Sequence, residues 1–239
     1  MQTFTPARRR ALGRLGALGL AVATPRTLLA QTASQVPEVL GTNHVRAVSS
    51  AWNGRPCLAV ELSDEAQARA LVSGGNGPSY AIVQQEFTDG IIETDIAAEL
   101  TGKGAPDARG FVGIAFHISA DLSTYEAVYL RMTNGRLNEP KPPAPRIDRA
   151  IQYVAHPDFH YPVSREKFPG RYERGADIAL GRWHRLRLEI QGSRARVLVD
   201  GQEVLTVEDL HYAGRRGPVG LFVDDGSRGY FRQLSVAGA

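Results

Sequence analysis

Glu93 and Asp95 stand two residues apart in the run Gly90 to Leu100. On a strand that spacing puts both carboxylates on one face, where a pair can share acid and base work at a glycosidic bond. By the same count Tyr125, Tyr129 and Arg131 share a face, opposite Val128, Leu130 and Met132, with Asn134 and Arg136 following. His117 falls on the face of Phe111, Gly113 and Ala115, whose small members leave room beside a ring, and Gln152, Tyr153 and His156 offer a third side. Tyr, Arg, Gln and His can together stack on a pyranose and hydrogen-bond its hydroxyls. Cross-strand Tyr and Arg pairs on an exposed sheet are the plain structural alternative.

The histidines, His44, His117, His156, His160, His184 and His211, show no helical i, i+4 pair of the metalloprotease kind. His156-Pro-Asp158-Phe-His160 brings two imidazoles and a carboxylate into one loop, the place where a metal-dependent hydrolase would have to hold its ion. Asp224-Asp225-Gly226 lacks the further ligands of a calcium loop and reads as a hairpin turn. No Gly-x-Ser-x-Gly elbow, P-loop or dinucleotide fingerprint occurs, and neither a metal nor another cofactor is expected.

The elements that must position these residues are strands. Alternation or apolar runs bounded by turn residues mark Leu58 to Leu62, Tyr80 to Glu86, Gly90 to Leu100, Phe111 to Ser119, Tyr125 to Thr133, Ile147 to Ala155, Trp183 to Gln191, Arg194 to Asp200, Glu203 to Val207, Val219 to Val223 and Tyr230 to Val236. Leu186, Leu188 and Ile190 alternate with Arg185, Arg187 and Glu189, so that strand has one core face and one wet face. Asp200-Gly201 between apolar runs is a hairpin signal, because a type I′ turn needs positive φ at both central residues. One helix is expected, Asp64 to Leu71, capped by Ser63. The fold class is all-β, a two-sheet antiparallel jelly-roll sandwich. Two long connections remain: Asn134 to Arg146, rich in proline, and His156 to Ala176, which carries Phe159, Tyr161, Phe168 and Tyr172 with Arg165 and Arg171. Aromatics at that density argue for a packed lid or a ligand loop.

The formal net charge of +3 over 239 residues is local. Arg8, Arg9, Arg10, Arg14 and Arg26 lie in the first 30 residues with no Asp or Glu among them, so residues 31–239 are net negative and the electrostatic argument for a polyanion-binding domain falls away. A basic run, the apolar stretch Leu15 to Ala23 and small residues up to Ala30 form an export signal. Arg9-Arg10 followed by Leu12 is similar to the twin-arginine type. The apolar stretch is about half of what a membrane span needs. The reading is a cleaved signal over residues 1–30, with cleavage after Ala30 or Ala33, a linker over 31–44 and a sandwich domain over 45–239, in the periplasm or secreted. Cys57 is the lone cysteine, so no intramolecular disulfide forms, and its apolar neighbours make it a small buried hydrophobe.

Trp183-His-Arg-Leu-Arg-Leu-Glu-Ile, Arg196-Val-Leu-Val-Asp-Gly, Gly217-Pro-Val-Gly-Leu-Phe-Val and Gly229-Tyr-Phe-Arg-Gln-Leu-Ser-Val resemble the closing strands of concanavalin A-like lectin/glucanase domains, in the laminin G-like and 3-keto-disaccharide hydrolase branch. Phe87-Thr-Asp-Gly-Ile-Ile-Glu-Thr-Asp-Ile, Phe111-Val-Gly-Ile-Ala-Phe and Tyr125-Glu126 are similar to earlier strands of that group. The resemblance spans residues 79–237 and implies a jelly roll whose concave face receives a glycan. The Glu93 and Asp95 strand also resembles the catalytic strand of family-16 glycoside hydrolases, but Ala97, Ala98 and Glu99 leave no third carboxylate in place. The implied activity, if there is turnover, is hydrolysis or lysis of a (3-keto) glycoside. His156, Asp158 or Glu173 would transfer the proton, and His117, Tyr125, Tyr129, Arg131, Asn134, Arg136, Gln152, Tyr153, Tyr161 and Tyr172 would hold the sugar. The partner expected is a carbohydrate, with no nucleic acid and no lasting membrane span; the competing class is a non-enzymatic laminin G-like module that binds a protein of the cell envelope.

Overall fold

The computed structural model describes residues 1–3, 36–75 and 77–239. The basic and apolar runs read as an export signal lie outside the described residues. The strands are β1 (Gly41–Asn43), β2 (Val45–Trp52), β3 (Arg55–Leu62), β4 (Tyr80–Phe87), β5 (Gly90–Leu100), β6 (Phe111–Phe116), β7 (Tyr125–Arg131), β8 (Ile151–His156), β9 (Glu173–Arg174), β10 (His184–Gln191), β11 (Arg194–Val199), β12 (Gln202–Val207), β13 (Gly217–Val223) and β14 (Ser227–Gly238). Helix α1 (Asp64–Ser73) follows β3 and helix α2 (Tyr161–Lys167) follows β8. Two seven-stranded sheets run in the orders β1-β4-β13-β6-β7-β8-β9 and β12-β11-β10-β5-β14-β3-β2. Neighbouring strands pair antiparallel throughout, so the all-β jelly-roll sandwich read from the sequence is the fold.

Alternation builds the interior. Leu186, Leu188 and Ile190 of β10 are buried with Val128 and Leu130 of β7 and Leu221 and Val223 of β13 between the sheets. Asp200 and Gly201 join β11 to β12 with φ of 50° and 81°, the positive pair a type I′ turn requires. Ser63 caps α1 by accepting the Ala66 amide proton at 3.2 Å. Cys57 is buried, and burial pushes its thiol pKa up.

Several expectations change. Gly41–Asn43, inside the expected linker, is an edge strand on β4. Ile147 is not in a strand: Arg146–Asp148 form a single 3₁₀ turn and β8 begins at Ile151. Asp224-Asp225-Gly226 is not a hairpin turn, because β13 and β14 belong to different sheets and the turn carries the chain across the edge of the sandwich. Residues Tyr161–Lys167 of the aromatic connection form α2, with Pro162 in the first turn, where its missing N–H costs no helical bond.

The first sheet is apolar on both faces. Besides its core side, it buries Tyr80, Ile82, Ala115, Tyr125, Ala127, Tyr129, Val154 and Phe222 on its outward side. Loops cover one part of that outward face: the Tyr80 hydroxyl donates to the Leu122 carbonyl at 2.9 Å and the Tyr125 hydroxyl to the Gly77 carbonyl at 3.1 Å. The rest opens into a cleft.

Candidate functional site

The cleft encloses about 250 Å³, room for roughly one sugar ring. Phe111 and Tyr129 form its floor, Arg131 and Asn134 extend the floor past the end of β7, and Tyr161 and Arg165 of α2 form one wall. Arg146 opens the 3₁₀ turn before β8 and Arg149 follows it, Asp107 and Arg109 come from the connection between β5 and β6, and Gly74 with Asp224 and Asp225 completes the lining.

Arg131 is anchored rather than swinging free. Its Nη1 and Nη2 donate to Gln152 Oε1 at 3.2 Å each, and Nη2 also donates to the Tyr129 hydroxyl at 3.0 Å. Gln152, fully buried beneath it, is held in turn by donating from Nε2 to the Tyr153 carbonyl at 2.9 Å and the Tyr172 carbonyl at 3.3 Å. Behind this pair sits Glu173, 6% exposed, which accepts from Arg165 Nε and Nη2 at 2.9 Å and 2.7 Å and lies 3.2 Å from Arg149 Nε and 3.7 Å from Arg131 Nη1. Such a carboxylate is paired by three guanidiniums and fixes the arginine side of the cleft. Asn134 donates to the Arg149 carbonyl at 3.0 Å and accepts from Arg146 Nε at 3.1 Å, tying both turns to the floor. Burial holds the Tyr129 hydroxyl above its ordinary pKa, with Arg131 opposing and the charge of Asp224 adding, so it remains a neutral donor and acceptor.

Of the residues expected to hold a sugar, Tyr129, Arg131, Asn134 and Tyr161 therefore meet in the cleft, with Gln152 directly behind beside Glu173, which was expected to transfer a proton. The others do not. Tyr125 shares the outward face but stacks on His156, ring centroids 5.1 Å apart, and its hydroxyl is held by Gly77. Arg136 is exposed and paired with Asp177 at 3.4 Å. Tyr172 packs in the core and donates to Asp209 at 2.7 Å. His117 leaves the expected face: β6 ends at Phe116, His117 has φ of 48°, and the side chain turns into the interior. There its Nε2 faces the Thr88 carbonyl at 2.8 Å and its Nδ1 faces Glu126 Oε2 at 2.6 Å. Tyr153 faces the core as well and donates to the other Glu126 oxygen at 2.5 Å; burial first, then Glu126, raises its pKa far above the ordinary range.

His156 and Asp158 lie beyond Tyr125 rather than in the cleft. His156 Nδ1 is 3.0 Å from His160 Nε2, and Asp158 is exposed. Among the described residues no group of three or more His, Cys, Asp or Glu side chains is placed to hold a metal ion. The carboxylates that do reach the cleft, Asp107, Asp224 and Asp225, and the arginines Arg109, Arg146, Arg149 and Arg165, were missed as sugar ligands. They come from four connections, and only Arg165, set four residues after Tyr161 so that its guanidinium lies 4.7 Å over that ring, has a local spacing that could have shown it. Glu93 and Asp95 share a face as expected, but on the outward side of the second sheet, where Arg185 pairs with both at 2.9 Å and 2.8 Å.

Residues 47–237 match the model of the 3-keto-alpha-glucoside-1,2-lyase-like domain. The chain belongs to that family. Among solved structures it is similar to the carbohydrate binding module CBM66 from Bacillus subtilis, with 16% identity, a TM-score of 0.48 and coverage of 81% of this chain and 94% of that one. It is also similar to a Bacillus subtilis protein of unknown function with a galectin-like fold, with 11% identity, a TM-score of 0.45 and coverage of 87% and 97%. No curated protein matches the sequence. Among the described residues no helix is long and apolar enough to cross a membrane.

Proposed function

We propose that this member of the 3-keto-alpha-glucoside-1,2-lyase-like family is an exported protein that binds a sugar in the Tyr129–Arg131 cleft and cleaves a 3-keto glycoside there. The observation that carries the reading is the cleft itself: an aromatic floor and wall, lined by fixed guanidinium and amide donors and by carboxylates, in a space that fits one ring. A carbonyl at C3 acidifies the C2 proton, so a base that removes it lets the C1–oxygen bond break, the electron pair leaving with the aglycone oxygen. Asp224, 7% exposed on the cleft wall, is the base in this proposal. Glu173 acts by holding Arg131, Arg149 and Arg165 in position. His156 and Asp158 keep a proton-transfer role only if the aglycone runs along the sheet toward Tyr125.

The test is thermal unfolding of the purified protein against mono-, di- and oligosaccharides, 3-keto glycosides included, with product analysis. A ligand at about a hundred times its Kd adds about 2.7 kcal/mol of stability, a rise of several degrees in the unfolding midpoint. Asp224→Asn is expected to keep the shift and lose the product. An unmoved midpoint across the panel overturns the sugar reading in favour of a protein-interaction module.

A further inference from the structure

Arg109 and Arg146 stand apart from the other arginines of the cleft. Arg131, Arg149 and Arg165 share Glu173, whereas among the described residues neither Arg109 nor Arg146 has a carboxylate within 4.0 Å. Arg146 uses Nε on Asn134 Oδ1 and Nη2 on Thr133 Oγ1 at 3.3 Å, both neutral acceptors that aim the guanidinium without neutralising it. Among the described residues the Arg109 side chain donates only to the Ala108 carbonyl, at 3.4 Å.

The carboxylates of the cleft do not balance this side. Asp225 accepts from Gln67 Nε2 at 2.7 Å and from the Ala105 amide at 3.0 Å, so both of its oxygens are already engaged. Asp224 stands beside it and accepts the Asp225 amide proton at 2.8 Å. Asp107 is exposed and partly offsets Arg109. Burial first, then the charge of Arg146, lowers the pKa of Arg109, with Asp107 opposing and Arg131 adding. The guanidiniums of Arg131, Arg146, Arg149 and Arg165 group around Glu173 and Asn134, and Arg109 joins them from the connection that also carries Asp107.

We propose that the sugar taken by this cleft bears an oxyanion, a carboxylate or an ester of phosphate or sulfate, which Arg109 and Arg146 hold at the guanidinium side. Paired N–H donors of a guanidinium match the two oxygens of such a group, and its charge removes the repulsion between the arginines. The ring then lies over Tyr129 with its neutral carbons toward Asp224. This inference rests on the sugar-binding reading above and names the class of sugar.

Titration calorimetry on the whole protein tests it with methyl glucoside, methyl glucuronide, glucose 6-phosphate and glucose 6-sulfate. At least one anionic sugar is expected to bind about tenfold or more tighter than methyl glucoside, and the tightest of them identifies the oxyanion. That preference is expected to shrink as salt rises from about 20 to about 200 mM. Arg109→Gln with Arg146→Gln is expected to reduce the ratio of anionic to neutral affinity to near one, while Arg194→Gln, at an exposed pair with Glu208, keeps it. Equal affinity for neutral and anionic sugars in the wild type, or a ratio unmoved by salt and by the double variant, overturns the anionic class and leaves the sugar site standing. Binding of none of the four overturns the anionic class, and the 3-keto glycosides of the thermal panel then decide the sugar reading by themselves.

Discussion

Glu173 is buried against Arg131, Arg149 and Arg165, so its carboxylate and their guanidiniums hold one another with little help from water. Glu173→Gln keeps the shape and removes the charge, which strands three cations. The expected cost is about 3 kcal/mol in urea unfolding, set below the largest values for buried pairs because Arg149 and Arg165 are partly exposed. Sugar affinity is expected to fall with it, since Arg131 loses part of its anchor. His160 gives a separate, pH-dependent prediction. Burial first, then the neighbouring His156, lowers its pKa to about 4, against about 6.5 in an unfolded chain. Between those values the unfolded chain takes up the proton more readily, so stability present above about pH 6.5 is lost as the pH falls toward 4. Urea midpoints measured across that window are expected to drop by the equivalent of about 2 kcal/mol, and His160→Gln is expected to flatten the slope; an unchanged slope in that variant would assign the loss to other groups.

Strand β7 presents Tyr129 and Arg131 only because β6 lets it come close. A Cβ on Gly113 would lie 2.3 Å from the Val128 carbonyl oxygen and 2.5 Å from the Tyr129 Cα, both backbone atoms that cannot swing away. The small residue therefore admits the neighbouring strand rather than a ligand. Gly113→Ala is expected to cost about 2–3 kcal/mol of stability and to weaken sugar binding by displacing Tyr129, measured by denaturation and titration of the same preparation. Elements of this kind were legible where alternation was strict, as in β10 and in the β11–β12 hairpin. They were not legible in β2, whose Arg46, Val48, Ser49 and Ser50 are exposed on an edge strand, nor in β9, which is two residues long. The site divides the same way: Tyr129, Arg131 and Asn134 lie on one strand and the turn after it, where spacing fixes the face. Arg109, Arg146 with Arg149, and Asp224 reach the cleft from three different connections, and only the closed sandwich brings them together.

The sandwich as a whole keeps two charged surfaces from acting on each other. On the outward face of the second sheet Glu93 accepts from Arg185 and Arg187 at 2.9 Å and 3.0 Å, and Asp95 lies 2.8 Å from Arg185 and 3.6 Å from Arg232. The cleft is on the outward face of the first sheet, and a continuous apolar core separates the two. Packed sheets lie about 10 Å apart, and adding the side chains on both outer faces puts the Glu93 carboxylate out of reach of any ring over Tyr129. If catalysis used the paired strand carboxylates, as their spacing alone suggests, Glu93→Gln would abolish turnover. The architecture instead makes that pair a lattice of partly exposed ion pairs, each contributing about 1 kcal/mol or less. Glu93→Gln is therefore expected to lower the unfolding free energy by no more than about that amount while leaving sugar affinity and product formation at wild-type levels. Loss of turnover with stability intact would move the reacting centre to the opposite face of the molecule.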